Sequence, residues 1–329
     1  MALFTPSESP AVVVKEIDLT GGVPNVQTST GAVVGNFRWG PVEERVLIAN
    51  EQQLIDTFAT PNTSNSISFH TAAYFTRYSN AMQTVRVLDS DASNAVATTG
   101  QTSSYAVGGY TNPVVKNSSN FTAQKSALDS DGHTWVARYP GALGNSLAVH
   151  VCPQSTSDSA FNNWAYKSNF DAAPGTSAYA SDRDGSNDEI HIAVVDKNGV
   201  FSGTKGTVLE TYPYVSVAID AKSDDGSTNY AIDVINARSE YVHQVDWDSA
   251  FQTDGSAGIA LTPGTARNFQ GNNGDTKMYT FDSGADATGI RAAEFLAGYD
   301  LFEDKDQVEI DFLIAPSFTT STTQTTIVN

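Results

Sequence analysis

The sequence contains a single cysteine, Cys152, among 329 residues, and this scarcity excludes two kinds of stabilising chemistry. One cysteine cannot form an intrachain disulfide, and a zinc cluster built on thiolates needs several of them. We therefore expect a soluble protein made in a reducing cytoplasm and held together by its own hydrophobic core.

Basic residues are also scarce, because 18 Lys and Arg residues face 37 Asp and Glu residues and leave a formal net charge of −19. A chain this acidic repels the phosphate backbone of nucleic acids and the surface of anionic membranes. No apolar run approaches the roughly 18 residues that a membrane-spanning helix needs. The amino-terminal segment MALFTPSESP lacks the basic and apolar regions of a secretory signal. We therefore expect no nucleic-acid partner and no insertion into a membrane.

The glycine-punctuated stretch from Gly31 to Gly40 lacks the signature of a phosphate-binding loop. A P-loop places a lysine directly after its second glycine, whereas Gly35 is followed by Asn36 and the next lysine is Lys116. A dinucleotide fingerprint places its glycines at a turn between a strand and a helix, whereas these lie within an apolar segment typical of a strand. We interpret them as positions of close packing inside a strand.

Motifs of hydrolytic and metal-dependent chemistry are missing as well. None of the five histidines forms an H-E-x-x-H motif, and the sequence has no G-x-S-x-G nucleophile elbow. The acidic runs at 129–132 and 182–189 lack the glycine position of a calcium-binding EF-hand loop, and Asp-Gly pairs are common in turns. We predict no catalytic, cofactor-binding or metal-binding residues.

Residues 28–90 carry patterns that predict an α/β unit in the order β-β-α-α-β. Asn50 marks the start of the first helix, because Gln53 follows three residues later in the arrangement of a capping box. The α/β pattern returns near the end of the sequence. The expected elements are strands at 31–39, 45–48 and 83–89, helices after Asn50 and at 68–78, and, near the end, a helix at 287–302 and a strand at 308–316.

The middle of the sequence differs from these α/β segments in composition and in periodicity. Residues 90–135 are rich in Ser, Thr, Asn and Gly and show little periodicity, which favours a loop-rich insertion. Asn198-Gly199 carries the signal of a tight hairpin between two strands. The strands predicted in this region lie at 147–151, 189–196, 199–210 and 230–238.

These patterns predict a multidomain protein of the α+β or α/β class. We expect a mixed α/β core domain made of residues 23–90 together with 280–329. A β-rich region, residues 91–279, is inserted into that core. Residues 1–22 form an extended amino-terminal strand arm with its linker.

The arm contains one strand-like segment, AVVVKEID, which stands alone between polar residues and a stretch without periodicity. A lone strand leaves its backbone donors and acceptors unpaired, so we expect it to pair with a distant strand of this chain or of another. The segment consists of Ala11, Val12, Val13, Val14, Lys15, Glu16, Ile17 and Asp18.

Four segments, taken in order, resemble the sheath proteins of contractile phage tails. That family has an amino-terminal strand ending in Lys-Glu, a strand of the form G-x-x-x-G-x-F-x-W-G-P, a DTFG-x-P helix end and a YPG-x-LGN segment. Ala11 and Ala59 stand where the family usually has glycine. The matching segments are SPAVVVKEID (9–18), STGAVVGNFRWGPVEERVLIANEQQLIDTFATPN (29–62), ARYPGALGNSLAVHV (137–151) and EFLAGYDLFEDKDQVEIDFLIAP (294–316).

The resemblance implies a mechanical role without enzymatic activity. Sheath proteins stack as six-fold rings around a tail tube, and their contraction drives the tube through the host envelope. The resemblance also implies that Ala11–Asp18 donate a strand to a neighbouring subunit, a form of β-augmentation. The implied partners are further copies of the chain, the tail tube protein, and the baseplate and tail terminator proteins. The implied location is the phage tail, after assembly in the host cytoplasm.

The same resemblance marks two groups of anchor residues, in the core or at a contact between subunits. Phe37 and Trp39 share one face of their strand. Sheath proteins continue beyond the position of Asn329, so the resemblance implies that this sequence is part of a longer subunit. The anchor residues are Phe37, Trp39, Gly40 and Pro41 in one group and Tyr139, Pro140 and Gly141 in the other.

Two other functions stay open on the sequence alone. A baseplate or tail terminator protein can share β-rich modules with a sheath protein. A protein that binds or cleaves glycans is the other alternative, because several aromatic residues lie among acidic ones. Those aromatic residues are Trp135, Tyr139, Trp164 and Tyr166.

Overall fold

The structure is a computed structural model that describes residues 29–79, 81–97, 113–248, 257–269, 275–286, 289–304 and 306–315. The described helices are α1 (Glu51–Phe58), α2 (Ser66–Phe75), α3 (Ser118–Ser130), α4 (Ser159–Asn163), α5 (Ala178–Ser181), α6 (Ala231–Arg238) and α7 (Ala292–Asp300). The described strands are β1 (Thr30–Gly35), β2 (Arg45–Ile48), β3 (Ala81–Arg86), β4 (Val96–Ala97), β5 (Trp135–Ala137), β6 (Leu147–Pro153), β7 (Gly185–Ser186), β8 (Glu189–Asp196), β9 (Thr207–Ser216), β10 (Val242–Gln244), β11 (Arg267–Asn268), β12 (Lys277–Thr280) and β13 (Phe312–Ile314). None of the helices in these ranges is long and apolar enough to cross a membrane.

The fold is of mixed α/β class, and its first sheet has the strand order β13-β1-β3-β2. Strand β1 runs parallel to β3 and to β13, and β2 runs antiparallel to β3. Apolar clusters cover both faces of β1. Val33 belongs to a cluster with Phe69 of α2, and Val34 belongs to another with Tyr299 of α7. This double coverage explains why β1 reads as a continuous apolar run.

Gly31 and Gly35 are positions of close packing in β1. A β-carbon on Gly31 would lie 2.5 Å from the ring of Phe312 in β13. A β-carbon on Gly35 would lie 2.8 Å from the β-carbon of Ser68 in α2. The missing side chains therefore let a neighbouring strand and a helix approach the backbone of β1.

Helix α1 begins where the sequence predicts. The side-chain oxygen of Asn50 accepts a hydrogen bond from the backbone N–H of Gln53 at 2.9 Å, and Gln53 Oε1 accepts one from the backbone N–H of Ala49 at 2.9 Å. This reciprocal pairing satisfies donors that an uncapped helix start leaves open. Leu54 and Phe58 are fully buried and fix the inner face of the helix.

A second four-stranded sheet has the order β12-β6-β8-β9, with all neighbours antiparallel. A smaller sheet has the order β10-β5-β4, and the residues of its three strands are buried. Trp135 of β5, Ile192 of β8 and Ile235 of α6 belong to one buried apolar cluster. This shared cluster joins the two sheets and α6 into one packed region.

The strand predicted at 230–238 is wrong, because Ala231–Arg238 form helix α6. The buried residues of α6 follow the helical spacing i, i+1, i+3, i+4 and join the cluster of the second sheet. Their β-branched side chains favoured a strand in the prediction, but burial of one face overrides that weak preference. The buried residues are Ala231, Ile232, Val234 and Ile235.

The loop-rich interpretation of residues 90–135 is also wrong in part, because Ser118–Ser130 form helix α3. The side chain of Asn117 caps the helix by accepting a hydrogen bond from the backbone N–H of Asn120 at 2.9 Å. Only Phe121 and Leu128 of the helix are buried. Two apolar positions a heptad apart give too sparse a pattern to reveal a helix in the sequence.

The tight hairpin predicted at Asn198-Gly199 is a longer loop. Strand β8 ends at Asp196 and β9 begins at Thr207, so residues 197–206 connect them. The buried carboxylate of Asp196 accepts hydrogen bonds from backbone N–H groups of this loop. A two-residue turn would not place these N–H groups around the carboxylate. The donors are the backbone N–H groups of Gly199, Val200, Phe201 and Ser202, at 2.8–3.0 Å.

We expect Asp196→Asn to lower the free energy of unfolding by about 2–4 kcal/mol, because the amide has one acceptor oxygen where the carboxylate has two. Burial raises the pKa of Asp196, but hydrogen bonds from Ser146 and Ser202 outweigh it and lower the pKa overall. The wild-type contribution is therefore complete above the unfolded pKa of about 4, and it is lost as the pH falls through the lower folded pKa.

Urea unfolding of the wild type and of Asp196→Asn, at about pH 7 and about pH 3, measures both effects. The matched control is Asp171→Asn, which removes the same charge from an exposed residue and is expected to change stability by less than about 0.5 kcal/mol. Equal losses in the two variants at neutral pH would show that the Asp196 carboxylate does not organise the loop.

Two elements predicted near the carboxy-terminal end are observed, and both are shorter than predicted. The helix predicted at 287–302 is observed as α7, and the strand predicted at 308–316 is observed as the shorter β13. The side chain of Asp311 accepts a hydrogen bond from the backbone N–H of Thr30 at 2.7 Å, just before β13. The predicted arm, Ala11–Asp18, lies outside the described residues.

Candidate functional site

The second sheet contains two imidazoles and the thiol of the chain, namely His150 and Cys152 in β6 and His191 in β8. His191 Nε2 donates to the carbonyl oxygen of Ala172 at 2.8 Å, and its Nδ1 accepts the backbone N–H of Tyr214 at 3.1 Å. Burial lowers the pKa of His150 to about 4 and raises that of the Cys152 thiol to about 12, so neither group is charged at neutral pH. Within the described ranges no group of three or more His, Cys, Asp or Glu side chains is placed to hold a metal ion.

Arg86, the last residue of β3, joins the two groups of anchor residues. Its side chain is buried, and its Nε and Nη1 donate to the carbonyl oxygens of Phe37 and Gly40, both at 2.8 Å. Its Nη2 donates to the carbonyl oxygens of Pro140 at 2.7 Å and Arg38 at 3.2 Å. We call this set of contacts the Arg86 junction. It ties the segment that follows β1 to the turn that precedes β6.

The guanidinium of the Arg86 junction is a buried positive charge. Burial lowers its pKa to about 9, and the carboxylate of Asp286 opposes that shift, so the group is protonated at neutral pH. Asp286 also accepts a hydrogen bond from the backbone N–H of Ala142 at 2.8 Å. The carbonyl oxygens and this carboxylate offset the cost of removing the guanidinium from water.

Gly40 and Gly141 provide the space that the Arg86 junction needs. Their φ angles are +95° and +136°, which lie in the region that favours glycine. A β-carbon on Gly40 would lie 2.8 Å from the carbonyl oxygen of Thr57, and one on Gly141 would lie 2.9 Å from Oδ1 of Asp286. Any other residue at these positions must therefore displace the backbone or the carboxylate around the junction.

The remaining anchor residues lie around the junction. Phe37 packs against Phe58 of α1, with ring centroids 4.6 Å apart. Trp39 is buried and lies edge-to-face with Tyr139, with ring centroids 5.4 Å apart. Pro41 is buried as well. The structure thus brings both groups of anchor residues together inside the described part of the chain.

Sequence reasoning missed Arg86, although the junction depends on it. The one available signal is a cation inside the strand-like sequence QTVRVLD (83–89). A charge in an apolar strand must reach solvent or a set of acceptors, but the sequence does not say which. The acceptors are backbone carbonyls of distant segments, and no pattern of side chains in the sequence indicates which carbonyls these are.

The aromatic residues behind the glycan-binding alternative do not form one exposed platform. Trp135 and Trp164 are buried, and Trp164 packs against Phe170 with ring centroids 5.1 Å apart. Tyr139 and Tyr166 are half-buried. The structure therefore gives this alternative no surface on which these four residues stack against a sugar together.

Comparison with known proteins identifies similar sequences. The chain is 33% identical over 264 residues to a tail sheath protein of Salmonella phage ViI, a match that covers 80% of this chain and 36% of that protein. It is 36% identical over 81 residues to a tail sheath protein of Vibrio phage KVP40, covering 25% of this chain and 12% of that protein. It is 35% identical over 83 residues to the tail sheath protein of Enterobacteria phage T4, covering 25% and 13%. The chain thus spans 36% of the length of the first relative, and its matches cover 12% and 13% of the other two.

Comparison of folds gives two solved structures with weak likeness. A sheath tail protein from Listeria innocua has a TM-score of 0.46 at 12% identity, covering 92% of this chain and 43% of that one. A sheath tail protein from Desulfitobacterium hafniense has a TM-score of 0.42 at 10% identity, covering 97% and 48%. No family model matches the sequence.

Proposed function

This chain belongs to the phage tail sheath protein family, and on that premise we propose that it is part of the structural subunit of a contractile sheath. Copies of the subunit polymerise around the tail tube, and contraction of the polymer drives the tube through the host envelope. The observation that carries this proposal is the 33% identity over 264 residues with a tail sheath protein. The role is mechanical and includes no catalytic step.

The proposed subunit has three parts. Residues 1–22 are an arm with its linker, residues 23–90 and 280–329 form a discontinuous core domain, and residues 91–279 form a region inserted into that core that faces outward. The pairing of β13 with β1 supports the discontinuous core, because Phe312 lies opposite Gly31 in adjacent parallel strands. The proposed arm, Ala11–Asp18, donates a strand to a neighbouring subunit.

The Arg86 junction supports a stiff connection between the core and the inserted region. Its planar guanidinium binds two carbonyl groups at once. The carbonyl of Gly40 lies next to the first sheet, and the carbonyl of Pro140 precedes the first central strand of the second sheet in the chain. A sheath subunit has to transmit force between neighbours as one body while its arms stay attached. A buried, multiply hydrogen-bonded joint resists rotation between the two parts.

The proposed partners follow from the position of a sheath in a phage tail. They are further copies of the chain in stacked six-fold rings, the tail tube protein, and the baseplate and tail terminator proteins at the two ends. The proposed location is the tail of the virion, after assembly in the host cytoplasm. The net charge of −19 argues against nucleic acid or anionic lipid as a further partner.

Negative-stain electron microscopy of the self-assembled full-length subunit tests the proposal. We expect open-ended helical cylinders built of stacked rings. A baseplate or tail terminator protein forms closed rings or discrete complexes instead. Closed assemblies without any cylinders, under conditions in which the protein stays folded, would rule out the sheath role.

A further inference from the structure

A cleft of about 630 Å³ opens beside the Arg86 junction. The carboxy-terminal part of α1 and the residues directly after it form one side, and the loop at 197–206 and Tyr241 form the other. The residues that matter for its chemistry are four aromatic and two acidic ones, namely Trp39, Tyr139, Phe201, Tyr241, Asp56 and Glu240. We call it the aromatic cleft.

The aromatic residues of the cleft pack edge-to-face in a chain. The ring of Trp39 lies 5.4 Å from that of Tyr139 and 5.1 Å from that of Phe201, both at interplanar angles of 82°. Phe201 in turn lies 5.2 Å from Tyr241 at 88°. Trp39 is buried, whereas Phe201 and Tyr241 are half-buried, so these two residues present part of their rings to the cleft. A partly exposed aromatic ring attracts a cation that reaches its electron-rich face.

Two carboxylates line the aromatic cleft. Asp56 and Glu240 are exposed at its rim. Burial raises the pKa of the Tyr241 phenol, and the negative charges of Glu210 and Glu240 raise it further. The same acidic groups that disfavour a phenolate at this point favour a positive charge there.

Two cations of the chain already contact residues that line the cleft, because Arg38 binds Thr60 and the guanidinium of Arg138 lies 5.9 Å from the centroid of the Tyr139 ring. Arg38 donates from Nη1 to the carbonyl oxygen of Thr60 at 3.2 Å. Arg138 donates to the carbonyl oxygen of Ser239 and, at 3.0 Å, to the hydroxyl of Ser118; its Nε lies 3.4 Å from the hydroxyl of Tyr139. The ion pairs between described residues, Arg77–Glu51 and Lys116–Glu43, do not involve Asp56 or Glu240.

We propose that the aromatic cleft binds an arginine side chain presented by a partner protein. The planar guanidinium stacks on aromatic faces and donates several hydrogen bonds to carboxylates, so one group satisfies both features of the cleft.

The ligand class is independent of the sheath role, because it depends only on the cleft. A tripeptide, acetyl-Gly-Arg-Gly-amide, serves as the probe, and its citrulline counterpart has nearly the same shape without the charge. Indole N–H signals in a nitrogen-15 NMR spectrum distinguish Trp39 from Trp135, Trp164 and Trp247. We expect the arginine peptide to shift the Trp39 signal in a saturable way, and the citrulline peptide to bind at least about tenfold more weakly.

Two variants test the contribution of the cleft residues. We expect Phe201→Ala and Glu240→Gln each to weaken arginine-peptide binding by about three- to tenfold. The control Glu309→Gln removes the same charge from an exposed residue that does not line the cleft, and it is expected to leave binding unchanged. NMR spectra of each free variant show whether the fold is retained.

Three results would overturn the proposal. Equal binding of the arginine and citrulline peptides would show that the cleft does not recognise charge. Binding that Glu309→Gln weakens as much as Glu240→Gln would indicate attraction to the whole acidic surface. A Trp39 shift with neutral oligosaccharides but not with the arginine peptide would assign the cleft to glycans.

Discussion

Replacing Arg86 by methionine is expected to lower the free energy of unfolding by about 3–5 kcal/mol. Methionine fills much of the volume of the arginine stem but leaves the carbonyl oxygens of Phe37, Gly40 and Pro140 without their buried donor. Each unsatisfied acceptor costs free energy because no water replaces the lost contact. Thermal unfolding followed by circular dichroism should show a midpoint lower by on the order of 10 °C.

Arg86→Lys distinguishes the hydrogen-bonding fork from the charge. Lysine keeps the positive charge but has a compact ammonium that cannot reach carbonyls on two separate segments at once. We expect it to lose at least half of the stability that Arg86→Met loses. Arg77→Met is the matched control, because Arg77 is exposed and pairs with Glu51 at the surface, a contact of about 1 kcal/mol or less. A loss as small as that of Arg77→Met would show that the Arg86 junction does not stabilise the fold.

Deleting residues 1–20 from the full-length subunit is expected to abolish assembly into long cylinders while the monomer stays folded. The reason is that, in the proposed function, Ala11–Asp18 supply a strand to a neighbouring subunit. Sedimentation velocity and electron microscopy measure assembly, and circular dichroism measures the fold. Unchanged polymerisation of the deletion variant would contradict strand donation.

Proline substitutions make the same test with a smaller change. Val13→Pro removes a backbone donor from the middle of the proposed arm strand and is expected to reduce assembly strongly. Glu8→Pro places the same residue just before the proposed strand, Ala11–Asp18, and is expected to leave assembly intact. Equal effects of the two substitutions would show that pairing of this strand does not hold subunits together.

The elements with a strong local signal are predictable from the sequence. Helix α1 is predictable because Asn50 and Gln53 form its cap and because Leu54 and Phe58 recur at helical spacing. Strand β1 is predictable because sheets covered on both faces require unbroken apolar runs. In both cases the residues that decide the structure are close together in sequence.

The elements that depend on distant partners are not predictable in this way. The segment of α6 reads as a strand because Ile232, Val234 and Ile235 are β-branched, and only packing against the second sheet makes it a helix. The loop after Asp196 depends on one carboxylate whose acceptors are used by backbone donors up to six residues later. Sequence patterns carry side-chain types, whereas these structures are decided by burial and by backbone hydrogen bonds.

The same difference between local signals and distant contacts applies to the candidate site. Phe37, Trp39, Gly40 and the Tyr139–Gly141 turn stand out through the family resemblance, but their meeting in space does not. Arg86 brings them together through contacts with backbone carbonyls 46–54 residues away in sequence. Such contacts leave no side-chain partner by which the sequence can reveal them.

The sheath role itself is tested most directly on the phage particle that carries this chain. Gold-labelled antibodies against the chain can be imaged on virions before and after contraction. We predict gold along the whole side of the extended tail, and gold confined to the shortened, widened sheath after contraction. Gold only at the baseplate, at the neck or on the capsid would contradict the assignment.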